Sequence, residues 1–289
     1  MLWRRFLPRN GIRNDTNSRL MKIKTITSYL ESIAPLSLQE EYDNSGLIIG
    51  NYEVEVQGAL ICLDCTEAVI DEAIKKKCNL IITHHPIIFH GLKKITGKNY
   101  VERVVEKAIR NNISIYAIHT NLDNVIQGVN KKICDKLGLS KCKILSPRLT
   151  LPTPYGEGMG NGAGAGMVGS LSKPITEISF LKKVKKVMKA SSLRHTVLLN
   201  KKVSKVAVCG GSGSFLLNNA ISAGADVFIT ADFKYHQFFD AENKIVIVDI
   251  GHYESEQFTK ELLRDLLKQK FSIFAPHLSK VNTNPVNYI

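Results

Sequence analysis

The strongest constraint on the fold is the regular alternation of short apolar runs with amphipathic stretches of helical period. The apolar runs, each of strand length, are 59–63, 80–82, 113–118, 203–209, 226–229 and 245–250. Between most of them, apolar residues recur every three to four positions, and a last stretch of this kind predicts a helix from about 254 to 270. Strands that alternate with helices predict βαβ units, and therefore an α/β fold with mainly parallel sheets.

The second series of runs repeats the first, which predicts two related α/β halves. After the third run of each series stands a histidine followed four positions later by a carboxylate. The two pairs are His119 with Asp123 and His252 with Glu256. Any two βαβ units share a hydrophobic pattern, but that pattern alone does not predict this polar pair. We expect a disordered leader at 1–20, a first half at 21–150, a connector at 151–172 and a second half at 173–289.

The connector is rich in glycine, with seven glycines between Gly156 and Gly169. A run of this kind offers few side chains to pack and loses much conformational entropy on ordering, so it predicts neither a helix nor a central strand. A flexible join between the halves is the expected role. A phosphate-binding loop is the alternative, although no clear strand precedes the run.

The net charge of +13 raises the question of a nucleic-acid partner. Part of this charge lies in the first 20 residues, which carry five arginines against one aspartate. A second basic group, Lys182, Lys183, Lys185 and Lys186, alternates with apolar residues at helical spacing. That spacing is typical of the solvated face of a helix that packs on a core. Nucleic-acid binding is therefore not expected.

The sequence shows no stretch of the roughly 20 consecutive apolar residues that cross a bilayer. A soluble, cytoplasmic protein without a membrane partner is therefore expected. Its six cysteines are scattered along the chain. Cys62 and Cys65 have C-x-x-C spacing but no second pair, so free thiols in a reducing compartment are preferred to a redox or zinc role.

Residues of the kinds that bind metals follow several of the predicted strands. They are His84 and His85 after the second run, His119 and Asp123 after the third, and His252 and Glu256 after the last. In a parallel α/β sheet, ligands bind beyond the carboxyl ends of the strands, so we expect all of these residues at one kind of edge. His252 and Glu256 stand four residues apart and can share one side of a helical turn.

Imidazoles and carboxylates together form a ligand set suited to Zn, Mn, Fe or Ni. Three histidines and two carboxylates exceed what one tetrahedral ion needs, whereas two neighbouring ions bridged by a carboxylate would use them all. Because adjacent histidines normally diverge, His84 and His85 are expected to serve two different ions. A hydrogen-bonded structural role is the alternative for any single histidine. Five ligand-type residues at matching strand ends favour the metal site.

Six motifs stand in order along the chain from about Met21. They are Tyr42-Asp-Asn-Ser-Gly-Leu47, Thr83-His-His-Pro86, His119-Thr-Asn-Leu-Asp123, Val206-Ala-Val-Cys-Gly-Gly-Ser-Gly213, Gly251-His-Tyr-Glu-Ser-Glu256 and the tail Thr283-Asn-Pro-Val-Asn-Tyr288. Together they resemble the NIF-three-like family, the GTP cyclohydrolase 1 type 2 homologues. Many bacterial members carry an inserted small α/β domain between the halves, where this chain has only the Gly-rich join.

The resemblance implies intertwined α/β halves, two divalent metal ions in each chain and a ring-shaped homohexamer with its sites facing an internal cavity. The metal ligands that it implies are His84, His85, Asp123, His252 and Glu256. In the same way it implies that Glu256 bridges the ions, and His119 is placed next to the site rather than on an ion.

Two functions follow from such a site. A dinuclear centre supplies hydroxide near neutral pH, so hydrolysis of a nucleotide or another phosphoester is the first. A non-catalytic metal carrier or protein-interaction protein is the alternative. The loop Gly210–Gly213 could present backbone N–H groups to a phosphate, but a tight strand-to-helix turn is preferred. Tyr235 and His236 follow another predicted strand and could contact substrate, or else be a core aromatic and a hydrogen-bonded histidine.

Overall fold

The computed structural model describes residues 21–148 and 163–289. Its strands are β1 (Gly46–Ile49), β2 (Ala59–Cys62), β3 (Leu80–Thr83), β4 (Ser114–Ala117), β5 (Ser140–Pro147), β6 (Gly164–Thr176), β7 (Arg194–His195), β8 (Lys202–Ser212), β9 (Val227–Ala231), β10 (Val246–Asp249) and β11 (His277–Leu278). Its α-helices are α1 (Ile23–Ile33), α2 (Glu67–Lys75), α3 (Tyr100–Arg110), α4 (Thr120–Asp123), α5 (Val129–Leu137), α6 (Glu177–Val187), α7 (Leu217–Ser222), α8 (His252–Glu256) and α9 (Thr259–Lys270). Short 3-10 helices lie at Leu36–Leu38, Ser214–Leu216 and Tyr235–Ala241.

The strands form two sheets, which confirms the predicted α/β class. The first sheet has the order β1-β4-β3-β2-β11, and the second has the order β5-β6-β8-β9-β10-β7. Strands β2, β3 and β4 are parallel, and so are β8, β9 and β10. The three parallel strands stand in the same order in both sheets, in agreement with two related halves.

The sheets do not follow the predicted boundary at residue 150. Strand β5 lies in the predicted first half but pairs with β6 in the second sheet. Strand β11 lies in the predicted second half but pairs with β2 in the first sheet. Within the described residues, each half therefore contributes one strand to the sheet of the other half.

The prediction that the Gly-rich segment contains no central strand is wrong for its second part. Residues 164–176 form β6, which pairs with β5 on one side and β8 on the other. A Cβ atom at Gly164 would lie 2.3 Å from the backbone oxygen of Ser146. Glycine therefore lets the neighbouring strand approach, and pairing on both sides offsets the entropy of ordering. Residues 149–162 of this region, and the leader at 1–20, lie outside the described residues.

One large apolar core contains buried residues from both sheets and from α1, α5, α6 and α9. Two further clusters cover other faces of the sheets: α2 and α3 pack on the first sheet and α7 on the second. The Lys-rich stretch forms α6, with Phe180 and Val184 buried and with Lys182, Lys185 and Lys186 exposed. This helix therefore has the solvated basic face that its spacing predicts.

The predicted helix at 254–270 is two helices, α8 and α9, separated by Gln257 and Phe258. The short helix α8 carries His252 at its first position and Glu256 at its last. Among the described residues, no helix combines the length and the apolar character that a membrane span requires.

Candidate metal centre

The structure brings together all five residues that were predicted as metal ligands. His84 and His85 directly follow β3, Asp123 ends α4, and His252 and Glu256 lie on α8. All but His84 line a cavity of about 1180 Å³ to which both halves contribute. His84 has no exposed surface and lies behind the others.

Side-chain atoms of these residues form three sets of possible ligands, each with its atoms within 4.8 Å of one another. The first set is His84, Asp123 and Glu256, the second is His85, His252 and Glu256, and the third is His84, His85 and His119. Glu256 belongs to both sets that contain a carboxylate. It has one oxygen 3.8 Å from Nε2 of His84 and the other 3.0 Å from Nε2 of His85. One carboxylate therefore faces both of the adjacent histidines.

Two buried polar atoms in the first set lack a hydrogen-bond partner. The imidazole of His84 donates its Nδ1–H to the backbone oxygen of Ile118 at 2.8 Å, which leaves Nε2 as the nitrogen that faces the cluster. Within the described residues, Nε2 of His84 and Oδ1 of Asp123 are two of the three buried side-chain polar atoms without a hydrogen bond. They lie 3.6 Å apart. Buried polar atoms are normally paired, so these two fit the ligands of a cation.

Three of the four imidazoles are oriented by a carboxylate on the side away from the cluster. The Nδ1 atom of His85 lies 2.7 Å from Asp64, that of His119 lies 2.8 Å from Asp43, and that of His252 lies 2.7 Å from Asp232. The corresponding oxygens are Asp64 Oδ1, Asp43 Oδ1 and Asp232 Oδ2. Metal-binding histidines are commonly held in this way, because the outer hydrogen bond fixes the tautomer and the ring orientation. The arrangement is therefore a candidate metal-binding cluster in which the ring orientations are already fixed.

Sequence reasoning did not assign the three aspartates. Asp64 follows β2, and Asp232 follows β9 at the position that corresponds to His85 in the other half. Both could have been found as polar residues at the ends of predicted strands. Asp43 belongs to a motif that was identified, but its contact with His119 depends on tertiary structure.

The charges of the cluster depend on one another. Burial disfavours the charged imidazole of His85, but hydrogen bonds to two carboxylates outweigh it and raise the pKa of His85 to about 10. Burial also opposes protonation of His252, yet the charge of Glu256 and two carboxylate hydrogen bonds raise its pKa to about 11. Burial raises the pKa of Asp123 to about 6. Protons on the imidazoles thus balance buried carboxylates, and divalent cations would supply the same positive charge with release of protons.

The glycine-rich end of β8, Gly210–Ser212, packs against this cluster together with Gly213. A Cβ atom at Gly211 would lie 2.5 Å from Oε1 of Glu256 and 3.2 Å from the His252 ring, and one at Gly213 would lie 2.4 Å from Oγ1 of Thr230. Gly211 also has a φ of +61°. These glycines are needed for close approach of the backbone. The tight turn preferred from the sequence is confined to Gly213, because β8 continues to Ser212 through an irregular register between Val208 and Ser212.

Two predicted candidates for substrate contact lie elsewhere. Tyr235 and His236 are exposed on the 3-10 helix Tyr235–Ala241, and neither lines the large cavity. Tyr235 borders a smaller cavity with Val197 and Phe239. Within one chain the backbone after β9 turns Asp232 toward His252 and carries Tyr235 and His236 away from the large cavity, so a substrate contact of these two residues stays a prediction. His119, predicted beside the ligands, does line the large cavity.

Known proteins are similar to this chain in sequence and in fold. The profile of the family described as Duf34/NIF3 (NGG1p interacting factor 3) matches residues 21–285. A Clostridium acetobutylicum protein described as a GTP cyclohydrolase 1 type 2 homolog is 39% identical over 237 residues, which are 82% of this chain and 85% of that protein.

A longer relative and a solved structure extend the comparison. A Staphylococcus epidermidis protein with the same description is 28% identical over 370 residues and covers 93% of this chain and 100% of the relative. That alignment exceeds the 289 residues of this chain, so the relative has segments without a counterpart here. The crystal structure of a Bacillus cereus protein related to NIF3 has a TM-score of 0.86 and 29% identity, and covers 94% of this chain and 100% of that one.

Proposed function

The chain belongs to the Duf34/NIF3 family, and from that premise we propose that it binds two divalent cations and hydrolyses a nucleotide or another phosphoester. The observation that carries this proposal is the sharing of Glu256 by two ligand sets. His84 and Asp123 complete one set and His85 and His252 the other. A carboxylate between two sets of imidazole and carboxylate donors is what a bridged pair of cations needs. The donors suit Zn, Mn, Fe or Ni.

Two divalent cations held by these residues would supply Lewis-acid chemistry, polarising a phosphoryl oxygen and making hydroxide available near neutral pH. Other residues of the chain would bind and orient the substrate. His119 borders the cavity with its ring fixed by Asp43, and Phe89 packs edge-on against it at 5.7 Å. Arg148 and Arg194 also line the cavity, and each is paired there with a carboxylate, Glu40 and Asp249 respectively. A volume of about 1180 Å³ accommodates a molecule of nucleotide size.

The test is turnover of a substrate panel by protein loaded with each metal in turn. Nucleoside mono-, di- and triphosphates and nitrophenyl phosphodiesters form the panel, and phosphate, nitrophenol and opened guanine ring are the products to be measured. We expect metal-stimulated hydrolysis that His252→Ala abolishes. His195→Ala is the matched control, because this histidine is exposed and outside the cluster. Full metal loading without turnover on any substrate would contradict the hydrolase and favour a metal carrier.

We also propose that the chain forms a homohexamer in the cytoplasm. The family resemblance supports the hexamer, as do the exposed apolar side chains of Val197, Tyr235 and Phe239, which self-association would cover. All six cysteines are unpaired, which supports a reducing compartment. Light scattering should give about six times the chain mass of 32.2 kDa, and a monomer would contradict the assembly.

A further inference from the structure

The C-terminal tail connects both halves across the candidate metal centre. After β11, residues 279–289 form no helix or strand, but hydrogen bonds hold them at both ends of the path. Ser279 donates its N–H to the backbone oxygen of Ile61 at 2.8 Å and its Oγ–H to Glu72 at 2.6 Å. Asn284 donates its Nδ2–H to Oε1 of Glu254 on α8 at 3.0 Å.

Between these anchors, Thr283 contacts the residue that orients His85. Its Oγ1–H donates to Oδ2 of Asp64 at 2.6 Å. The other oxygen of Asp64, Oδ1, accepts from Nδ1–H of His85 at 2.7 Å. The Nε2 atom of His85 then lies 3.0 Å from Oε2 of Glu256. Three side-chain contacts therefore link the tail to the carboxylate that both ligand sets share.

We propose that Thr283 is a positioning residue for the cation held by His85, acting through Asp64. The proposal rests on the two-cation site proposed above. The side chain of Asp64 is 33% exposed, so without Thr283 one of its oxygens would be free to hydrate and the carboxylate free to rotate. With Thr283, both oxygens are engaged and the carboxylate stays in line with Nδ1 of His85. Loss of the direct partner of a metal-binding histidine, here Asp64, lowers metal affinity by about 10- to 100-fold; Thr283 lies one hydrogen bond further out, so the lower end of this range is expected.

The effect should be confined to one of the two cations. His84 is oriented by the backbone oxygen of Ile118, which the tail does not contact. His252 is oriented by Asp232, whose other hydrogen bond comes from Ser212 rather than from the tail. Loss of the Thr283 hydroxyl therefore lowers the cation affinity of the ligand set that contains His85. The cation affinity of the set that contains His84 and Asp123 stays unchanged.

The experiment is a competitive Zn²⁺ titration of the metal-free full chain against a chromogenic chelator, with Co²⁺ absorption as the spectroscopic readout. We expect two equivalents in the wild type. Thr283→Val should lower the affinity for one Zn²⁺ equivalent about tenfold and leave the affinity for the other unchanged. Thr283→Ser keeps the hydroxyl and should bind both equivalents as the wild type does. Thr96→Val is the matched control, since it removes a threonine-to-carboxylate hydrogen bond, to Glu102, away from both the ligands and the tail, and it should match the wild type.

A double-mutant cycle tests whether Thr283 acts through Asp64. Asp64→Ala should weaken the same equivalent, and Thr283→Val should then add no further loss. Two normal equivalents in Thr283→Val would overturn this role alone. Equal weakening of the binding of both equivalents would also overturn it. So would the same loss in Thr96→Val, or an additive loss with Asp64→Ala. A wild type that binds fewer than two cations would refute the proposed two-cation site and this role with it.

Discussion

Gly211→Ala tests whether the close approach of the glycine-rich end of β8 shapes the candidate centre. The left-handed backbone at a φ of +61° costs an L residue about 1–2 kcal/mol. The new Cβ would also lie 2.5 Å from Oε1 of Glu256, and overpacking of this kind costs about 1–3 kcal/mol. We expect a loss of about 2–5 kcal/mol in the free energy of unfolding, from these two contributions. Because Glu256 belongs to both ligand sets, displacement of its carboxylate should lower the affinity for both cations.

Gly224→Ala separates the two contributions. Gly224 has a similar φ of +67°, but its nearest neighbour to a Cβ would be the flexible end of Lys205 at 3.8 Å. The Gly224→Ala variant should therefore lose only about 1–2 kcal/mol in the free energy of unfolding, from the left-handed backbone alone, and it should bind both cations with wild-type affinity. Urea denaturation gives the stabilities, and Zn²⁺ titration gives the affinities. Wild-type affinity for both cations in Gly211→Ala would refute the reasoning, as would equal stability loss in the two variants.

Three further predictions concern the centre and its surroundings. Glu256→Gln should lower the affinity for both Zn²⁺ equivalents, whereas Asp123→Asn should lower it for only one. A Zn²⁺ titration in which Glu256→Gln affects one equivalent and Asp123→Asn affects both would contradict a shared carboxylate. Removal of cations by a chelator should lower the melting temperature, since each cation contributes about 2.7 kcal/mol at 100 times its Kd; an unchanged melting curve would count against bound cations. Burial raises the pKa of Asp43, but its hydrogen bonds to His119 and Thr120 outweigh this and hold the pKa well below the usual value. Its ionised form therefore stabilises the fold fully above the unfolded pKa of about 4, and the contribution falls as pH drops further. Asp43→Asn should cost about 1–3 kcal/mol at pH 7 and less at pH 3, and a penalty that grows on acidification would be inconsistent with this sign.

The parallel strands and the ligand cluster could be predicted because their signals are local. Apolar runs mark the strands, and the histidines and carboxylates stand directly after them in the sequence. The pairing of His252 with Glu256 follows from helical spacing alone. Predicting that His84 lies near Glu256 required one further assumption. It was that the carboxyl ends of strands from both halves meet at one site.

Other features depend on contacts between distant parts of the chain. Strands β5 and β11 join the sheet of the opposite half. The local hydrophobic pattern of a strand does not indicate which sheet edge it pairs with. The glycines of β6 were interpreted as a flexible join. Their structural role is to let the neighbouring backbone approach closely, and this contact is visible only in three dimensions. The aspartates that orient His85, His119 and His252 were missed for the same reason.

The number of metal ions per chain tests the central claim most directly. Gently purified full-length protein should be analysed for Zn, Mn, Fe and Ni by elemental analysis and compared with Glu256→Gln prepared in the same way. The shared carboxylate predicts close to two ions per chain in the wild type and clearly fewer in the variant. A value near zero in the wild type, even after incubation with each metal, would contradict the dinuclear centre.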